Sequence, residues 1–329
     1  MTRYFGDGNL VGFYYESGTY ANTSGALQWI GQVKNHDITE NTNVQTTRYL
    51  GTDDRSVSAL TPTVKDVEGA FTYYPQDWKF LMFGLGGNID GGSPDPYTHT
   101  MTEKNSDDCN SYTSGTLNPF ISFSLADSKK GKTGNQYFVR TVNGAMVNTW
   151  SMSWSQGDII ECETNYRAQS VTFTSGTLPA LSETTNRPYL GRDVQVSIPS
   201  GTDLLTNKGG TFTVNNNVEG PHYNNGSEVI GVPYPVDRDY ELSLTVDWNW
   251  DMADTYYQSY YKGGSSFNAQ LSVSASAGSR EVIVTMSGCK LTDMPIPSPS
   301  EGVNEATLTI VPSNVSAVAS DSIEKYAPW

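Results

Sequence analysis

Glu161 and Glu163 stand two residues apart in the alternating stretch IIECETNYRA. On a strand, side chains at i and i+2 share a face and lie about 7 Å apart, at ~3.3 Å per residue. That spacing falls inside the ~6.5–9.5 Å separating acid and base in inverting glycosidases. Catalytic carboxylates flank a cleft from different elements, though, and this pair shares one strand. The three histidines, His36, His99 and His222, show no H-x-H or H-x-x-x-H spacing for a metal. Cys109, Cys162 and Cys289 are odd in number and widely spaced, which suits neither a disulfide framework nor a zinc site. The chain has no G-x-S-x-G nucleophile turn. The glycine-rich GLGGNIDGG (84–92) lacks the Lys-Ser/Thr of a phosphate loop and reads as a helix stop. Asp53–Asp54, Asp107–Asp108 and Asp237 with Asp239 offer carboxylates to Ca²⁺ without EF-hand spacing, and read as solvated turns. Catalytic, cofactor and metal residues are therefore all expected to be absent. The N-x-S/T sequons at Asn22, Asn225 and Asn314 fit chance in a chain so rich in Asn and Ser.

The elements that would position any site are strands. Of 329 residues, 31 are Gly and 20 Tyr, and only 17% are charged. Ile121, Phe123 and Leu125 alternate with Ser122, Ser124 and Ala126; Trp150, Met152 and Trp154 alternate with serines; Leu271, Val273 and Ala275 do the same. Each pattern predicts a half-buried antiparallel strand. QYFVRTV (136–142) and REVIVTM (280–286) alternate less and predict strands buried on both faces. Two helices are predicted: Gln76–Leu85 behind Pro75, and Met252–Tyr261, each stopped by a Gly-Gly pair. Tyr257, Tyr260 and Tyr261, at i, i+3 and i+4, are expected to pack the second helix onto a sheet.

The halves repeat. Phe71 aligns with Leu244 and Tyr73 with Val246, both at an offset of 173. NGAMVN (143–148) aligns with SGCKLT (287–292), and IIECETNYRA (159–168) with VNEATLTIVP (303–312), both at 144. The N/S-G dipeptides read as turns between strands. The Ser/Thr- and Pro-containing stretch 174–192 is the natural boundary. The expected organisation is all-β: an N-terminal arm (1–30), a first β domain (31–175), a linker (176–192), a second β domain (193–320) and a C-terminal tail (321–329). Each domain is a β-sandwich or half-barrel with one short flanking helix.

Alternation also sorts faces. Val67, Phe71 and Tyr73 point to a core, leaving Glu68 and Thr72 outside; Tyr240, Leu242, Leu244 and Val246 do so in the second copy, leaving Glu241, Ser243 and Thr245 outside. A net charge of −15 disfavours gripping nucleic acid, which needs clustered Lys and Arg. No stretch approaches the ~20 apolar residues of a membrane span. MTRYFGDGNLVGFYYESG lacks a signal-peptide core, so assembly in a cytoplasm is expected.

Four segments carry a resemblance. GFYYESGTYANTSGALQWIG (12–31), with its E-x-x-T-Y, TTRYLGTDDRSVSALTPTVKDVEGAFTYYPQDWKFLMFGLGG (46–87), NGAMVNTWSMSWSQGDIIECETNYRA (143–168) and EGVNEATLTIVPS (301–313) together resemble the tail tube proteins of tailed bacterial and archaeal viruses. The resemblance implies a virion tail protein in which domains join side by side and inner sheets merge into a barrel. It implies rings of three two-domain subunits or of six subunits, stacked into a tube that DNA passes through without specific binding. Partners would be further copies, with tape-measure, tail terminator and baseplate proteins, and a sheath if the tail contracts. On that reading Glu68, Thr72, Glu241, Ser243 and Thr245 are candidates for the channel wall, and the N-terminal arm and the loop 88–119 for contacts between stacked rings. The alternative is a carbohydrate-binding β-sandwich on a virion or cell surface, suggested by the crowded Trp248, Trp250, Tyr256, Tyr257, Tyr260 and Tyr261.

Overall fold

A computed structural model describes residues 9–16, 20–47, 59–92, 96–103, 122–130, 137–176, 181–276, 279–296 and 304–326. Strand accounts for 63% and helix for 8%, so the protein is all-β. The first half holds β1 (Leu10–Glu16), β2 (Thr23–Gln28), β3 (Gln32–Thr47), β4 (Ala59–Tyr74), α1 (Leu81–Leu85), β5 (Asn88–Gly91), β6 (Tyr97–Thr102), β7 (Phe123–Lys130), β8 (Tyr137–Ser155), β9 (Glu161–Ala168) and β10 (Ser170–Gly176). The second holds β11 (Val194–Ser197), β12 (Asn207–Asn215), β13 (Val218–Glu219), β14 (Tyr234–Pro235), β15 (Asp239–Asp247), α2 (Met252–Lys262, wound as a π-helix), β16 (Phe267–Ser276), β17 (Arg280–Asp293), β18 (Glu305–Val311) and β19 (Asn314–Asp321).

One antiparallel sheet runs through both halves in the order β3-β4-β9-β8-β12-β15-β18-β17. The joint is β8 against β12, from Thr149 opposite Asn215 to Ser155 opposite Gly209. Two smaller sheets cover its apolar face: β2-β1-β7-β8-β10 over the first half and β11-β16-β17-β19-β6-β5 over the second. The layers enclose a continuous core from Phe13, Phe71 and Trp150 to Phe212, Leu244 and Ile310.

The duplication is visible in the pairing. Tyr73 faces Cys162, and Val246 faces Ala306, at the offsets 173 and 144 read from sequence. Irregularities repeat too: β8–β9 is bulged between Val147 and Thr149, and β17–β18 between Leu291 and Asp293.

The N/S-G dipeptides are not turns. Gly144 and Gly288 lie inside the long strands β8 and β17, with φ of 65° and 60°, where each strand passes from the main sheet into a covering sheet. Glycine takes positive φ without the strain a Cβ brings. Glu16 and Tyr20, the first and last residues of the E-x-x-T-Y stretch, clamp the first kink. Glu16 is buried and accepts from the Gly144 amide at 2.7 Å, the Ala21 amide at 3.0 Å, and the Ser122 and Ser124 hydroxyls. The Tyr20 hydroxyl donates to the Gly144 carbonyl. This corrects the half-buried reading of β7 and the residue before it: Ser122 and Ser124 are buried against the Glu16 carboxylate, Asp127 accepts from the Arg140 guanidinium, and the buried Ser128 hydroxyl donates to the Leu10 carbonyl. Ile121 lies outside the described residues.

Other expectations change as well. REVIVTM and the described part of QYFVRTV are not buried on both faces: Arg280, Glu281 and Ile283 are half-exposed while Val282, Val284 and Met286 are buried, and Tyr137, Phe138, Arg140 and Thr141 are half-exposed. The first helix spans only Leu81–Leu85, and all five residues are buried, so it plugs the core rather than flanking it. Residues 75–80 do not join it because Gln76 is held by Trp29 and Asn186, and Asp77 accepts from the Lys79 amide. Gly86, at φ 90°, ends it as the Gly-Gly pair foretold. In α2 Met252 and Tyr256 are buried, Tyr257 and Tyr260 pack against the core as expected, on Trp248 and Phe267, and Tyr261 is exposed. Residues 10–16 and 23–28 of the expected arm are strands of a covering sheet, and residues 88–91 and 97–102 of the expected loop pair as β5 and β6, which extend the second half's covering sheet through β19.

A methyl group at Gly144 would sit 2.4 Å from the Tyr20 ring, whereas at Gly288 it would meet the rotatable Ser313 hydroxyl at 2.2 Å. Gly144→Ala should therefore cost more stability than Gly288→Ala, the latter about 1–3 kcal/mol from backbone strain alone. Denaturant unfolding of the two variants checks the ranking.

Candidate functional site: the polar face of the shared sheet

Alternation leaves the main sheet with one buried and one polar face. All five residues singled out from sequence lie on the polar face, brought together by the β8–β12 joint. One row runs Thr72, Glu163, Ser151, Thr213, Glu241 across five strands. The next runs Glu161, Ser153, Thr211, Ser243, Thr309. Thr245 stands between Gly209 and Thr307, and Glu68 stands opposite Arg167. Glu68 and Glu241 are exposed; Thr72, Ser243 and Thr245 are half-exposed.

Sequence reading missed the cations of this face. Lys34 pairs with Glu161 at 2.8 Å, and Lys208 pairs with Glu305 at 2.6 Å and Asp247 at 2.7 Å. Each lysine sits in a bulge, between Val33 and Asn35 in β3 and between Asn207 and Gly209 in β12. A bulge re-aims a side chain. Lys34 to Lys208 is an offset of 174 and Glu161 to Glu305 is 144, so the offsets could have revealed this repeated ion pair. Hydrogen bonding to Glu161 raises the Lys34 pKa, and bonding to Asp247 and Glu305 raises that of Lys208. Arg167 is drawn to Asp66 at 3.1 Å and Glu68 at 3.9 Å. Among the described residues, Glu163 and Glu241 have no cationic partner. The carboxylate pair Glu161–Glu163 thus lies on an open sheet, one member tied to a lysine. Asp239 accepts from Asn217 at 3.0 Å, while Asp53–Asp54 and Asp107–Asp108 lie outside the described residues. No metal-holding group occurs among the described residues.

A second polar cluster is buried behind the covering sheet. His99 is fully buried; its Nδ1 lies 2.7 Å from Asp90 and its Nε2 3.3 Å from Asp321. Tyr326 stacks on the imidazole at 3.6 Å, donates to Asp321 and takes Asp90 with its amide, while Tyr15 donates to its carbonyl. These bonds tie the C-terminal segment to β1 and β6. No spacing in the sequence announces the cluster, since its members come from three distant segments: β1, the β5–β6 pair and the C-terminal stretch.

The class is clear at this point: an all-β structural protein with two internal copies merged edge to edge into one sheet, offering a polar, carboxylate-rich face. The model of the family described as phage tail tube protein matches residues 8–316. The chain belongs to that family, which places it in the virion tail. Comparison with curated proteins finds no match. No described helix is long and apolar enough to cross a membrane.

Burial works against a charged His99, but hydrogen bonds to Asp321 and Asp90 outweigh it and raise the pKa above 6.5. A raised folded value means the stabilisation is complete below the unfolded value and is lost as pH climbs through the folded one. Stability should accordingly fall on the alkaline side of pH 6.5. His99→Gln should flatten that fall and cost about 3–5 kcal/mol at pH 6, by leaving buried carboxylates unpaired. Urea unfolding between pH 6 and 9 measures both.

Proposed function

We propose that the chain assembles with copies of itself into rings that stack as a tail tube, and that the polar face of the main sheet lines the channel for DNA. Its role is structural, with no catalytic step. The observation that carries this is the β8–β12 joint. It pairs a first copy with a second inside one chain, and leaves β3 and the end of β17 as the two edges of the sheet. Those edges are the repeats of β12 and β8. Applying the offsets 174 and 144 to Asn215 opposite Thr149 puts Asn41 of one chain opposite Asp293 of the next. Three chains would then supply six copies, and the heterologous contact closes as a ring. The Gln156 amide donates to Lys208 in the joint, so even-numbered residues of β8 point their amides at β12. Their repeats are also even-numbered, whereas the prolines after β17 stand at 295, 297 and 299. Proline's missing donor thus spares the joint.

The tape-measure, terminator and baseplate proteins, and a sheath if present, are the partners this reading expects. Unpaired carboxylates such as Glu163 and Glu241 would repel DNA phosphates within about 8 Å at physiological salt, letting the duplex slide.

Asn41→Cys with Asp293→Cys should form an interchain disulfide under mild oxidation, since directly opposed residues lie within its ~4.4–6.8 Å Cα range. Non-reducing gels would show covalent oligomers in the double variant and monomers in each single one; monomers throughout would refute the edge pairing. In particles that still assemble, Glu68→Lys with Glu241→Lys should slow genome release and make it salt-dependent. Unchanged release would move the channel wall elsewhere.

A further inference from the structure

The segment that crosses the joint inside the chain has a repeat at the N-terminus. Residues 188–198 read PYLGRDVQVSI, and residues 3–13 read RYFGDGNLVGF. The offset is 185, and it aligns Tyr189-Leu190-Gly191 with Tyr4-Phe5-Gly6. The alignment is anchored by pairing, not by letters alone. Leu10, Val11 and Gly12 of β1 face Ser128, Asp127 and Ala126 of β7. Gln195, Val196 and Ser197 of β11 face Ser272, Leu271 and Gln270 of β16, the same partners moved by 144.

What 189–191 does is explicit. The Tyr189 amide donates to the Pro75 carbonyl at 3.2 Å, and its carbonyl accepts from Ile160 at 3.0 Å. Its ring is buried, 5.0 Å from Trp78 and 4.9 Å beneath the Arg280 guanidinium. Leu190 bridges Ile159, and the Gly191 amide donates to Asp158 at 2.8 Å. A methyl group on Gly191 would meet the Ser155 carbonyl oxygen at 1.8 Å, so only glycine fits. The segment thus straps the end of the first copy's sheet before feeding β11 in the second.

The second copy has the matching end, and among the described residues no segment straps it. The repeats of Pro75 and Ile160 are Trp248 and Asn304. Ile160 is fully buried under its strap, whereas Asn304 is exposed. Two large apolar side chains stand open at this end: Trp250 is 80% exposed and Leu205 90%. Both flank the start of the β12–β15 pair, where the Asp247 amide donates to Thr206.

We infer that Tyr4-Phe5-Gly6 of one copy straps this end of the second half of its neighbour, covering Trp250, so that the N-terminal segment crosses the joint between chains as 188–193 crosses the joint within one. The inference rests on the ring reading above, because the neighbour that receives the strap is the one whose β17 meets β3 of the same chain. Tyr4 takes the place of Tyr189 and binds through its backbone to the carbonyl of Trp248 and the amide of Asn304. Gly6 is kept as glycine for the reason Gly191 is. Gly8 carries no such demand, since its counterpart is Asp193, which has a side chain.

The test places the photocrosslinking residue p-benzoylphenylalanine at Tyr4 in the full chain and maps its adducts by mass spectrometry, with mixed isotopic labels to separate interchain from intrachain products. The expected result is an interchain adduct within 248–256 or 304–311. Gly6→Val should reduce its yield at least tenfold, and Gly8→Val should leave it unchanged. An adduct confined to the same chain, or equal loss in both glycine variants, overturns the inference. If the 41–293 disulfide forms and no interchain adduct appears, the strap alone falls. If neither forms, the ring reading falls with it.

Discussion

A sheet edge is a row of amides and carbonyls that must find partners, and this chain satisfies one such edge with its own second copy. Everything else in the architecture follows from the β8–β12 pairing. It makes two half-barrels into one eight-stranded sheet, fuses their cores, and sets Trp150 against Phe212 across the seam. It also fixes what remains open, since each copy has one edge of either kind and a joint consumes one of each. An edge left bare invites uncontrolled pairing. On the proposed ring reading, a repeat that closes on itself turns the hazard into an assembly rule.

The long strands carry the second constraint. β8 and β17 serve two sheets each, and a strand can do so only by kinking. Gly144 and Gly288 provide the kink at the same place in each copy. In the first copy a buried glutamate and a tyrosine hold it, at the price of a carboxylate inside the protein whose acceptor capacity is filled by two amides and two hydroxyls. Buried charge is tolerable when it is so satisfied. The same principle governs Asp127: burial alone would raise its pKa, yet His36 and Arg140 hold it below the ordinary value.

The polar face divides its charges unevenly. The lysines are pinned by bulges to particular carboxylates near the ends of the strands, while Glu163 and Glu241 stand in one hydroxyl-rich row without cations. Such a surface offers hydration and like charge to a polyanion and no cluster of cations to hold it.

The sequence by itself determined the strand content, the duplication, its offsets, and which side of β4 and β15 is wet. These are local or periodic properties: alternation has a period of two, and repeats preserve spacing. It misplaced the start of α1 and put Tyr261 on the core side of α2. Polar partners distant in sequence, Trp29 and Asn186, held residues 75–80 out of the helix. It read Gly144 and Gly288 as turns, because positive φ marks a turn and a mid-strand kink alike. Only the tertiary structure decided that Glu68 and Glu241 share a sheet, that Lys34 and Lys208 repeat one ion pair, and that His99 meets Asp321 and Tyr326. Each of these contacts joins segments far apart in the chain, and no local preference encodes which distant strand a strand will meet.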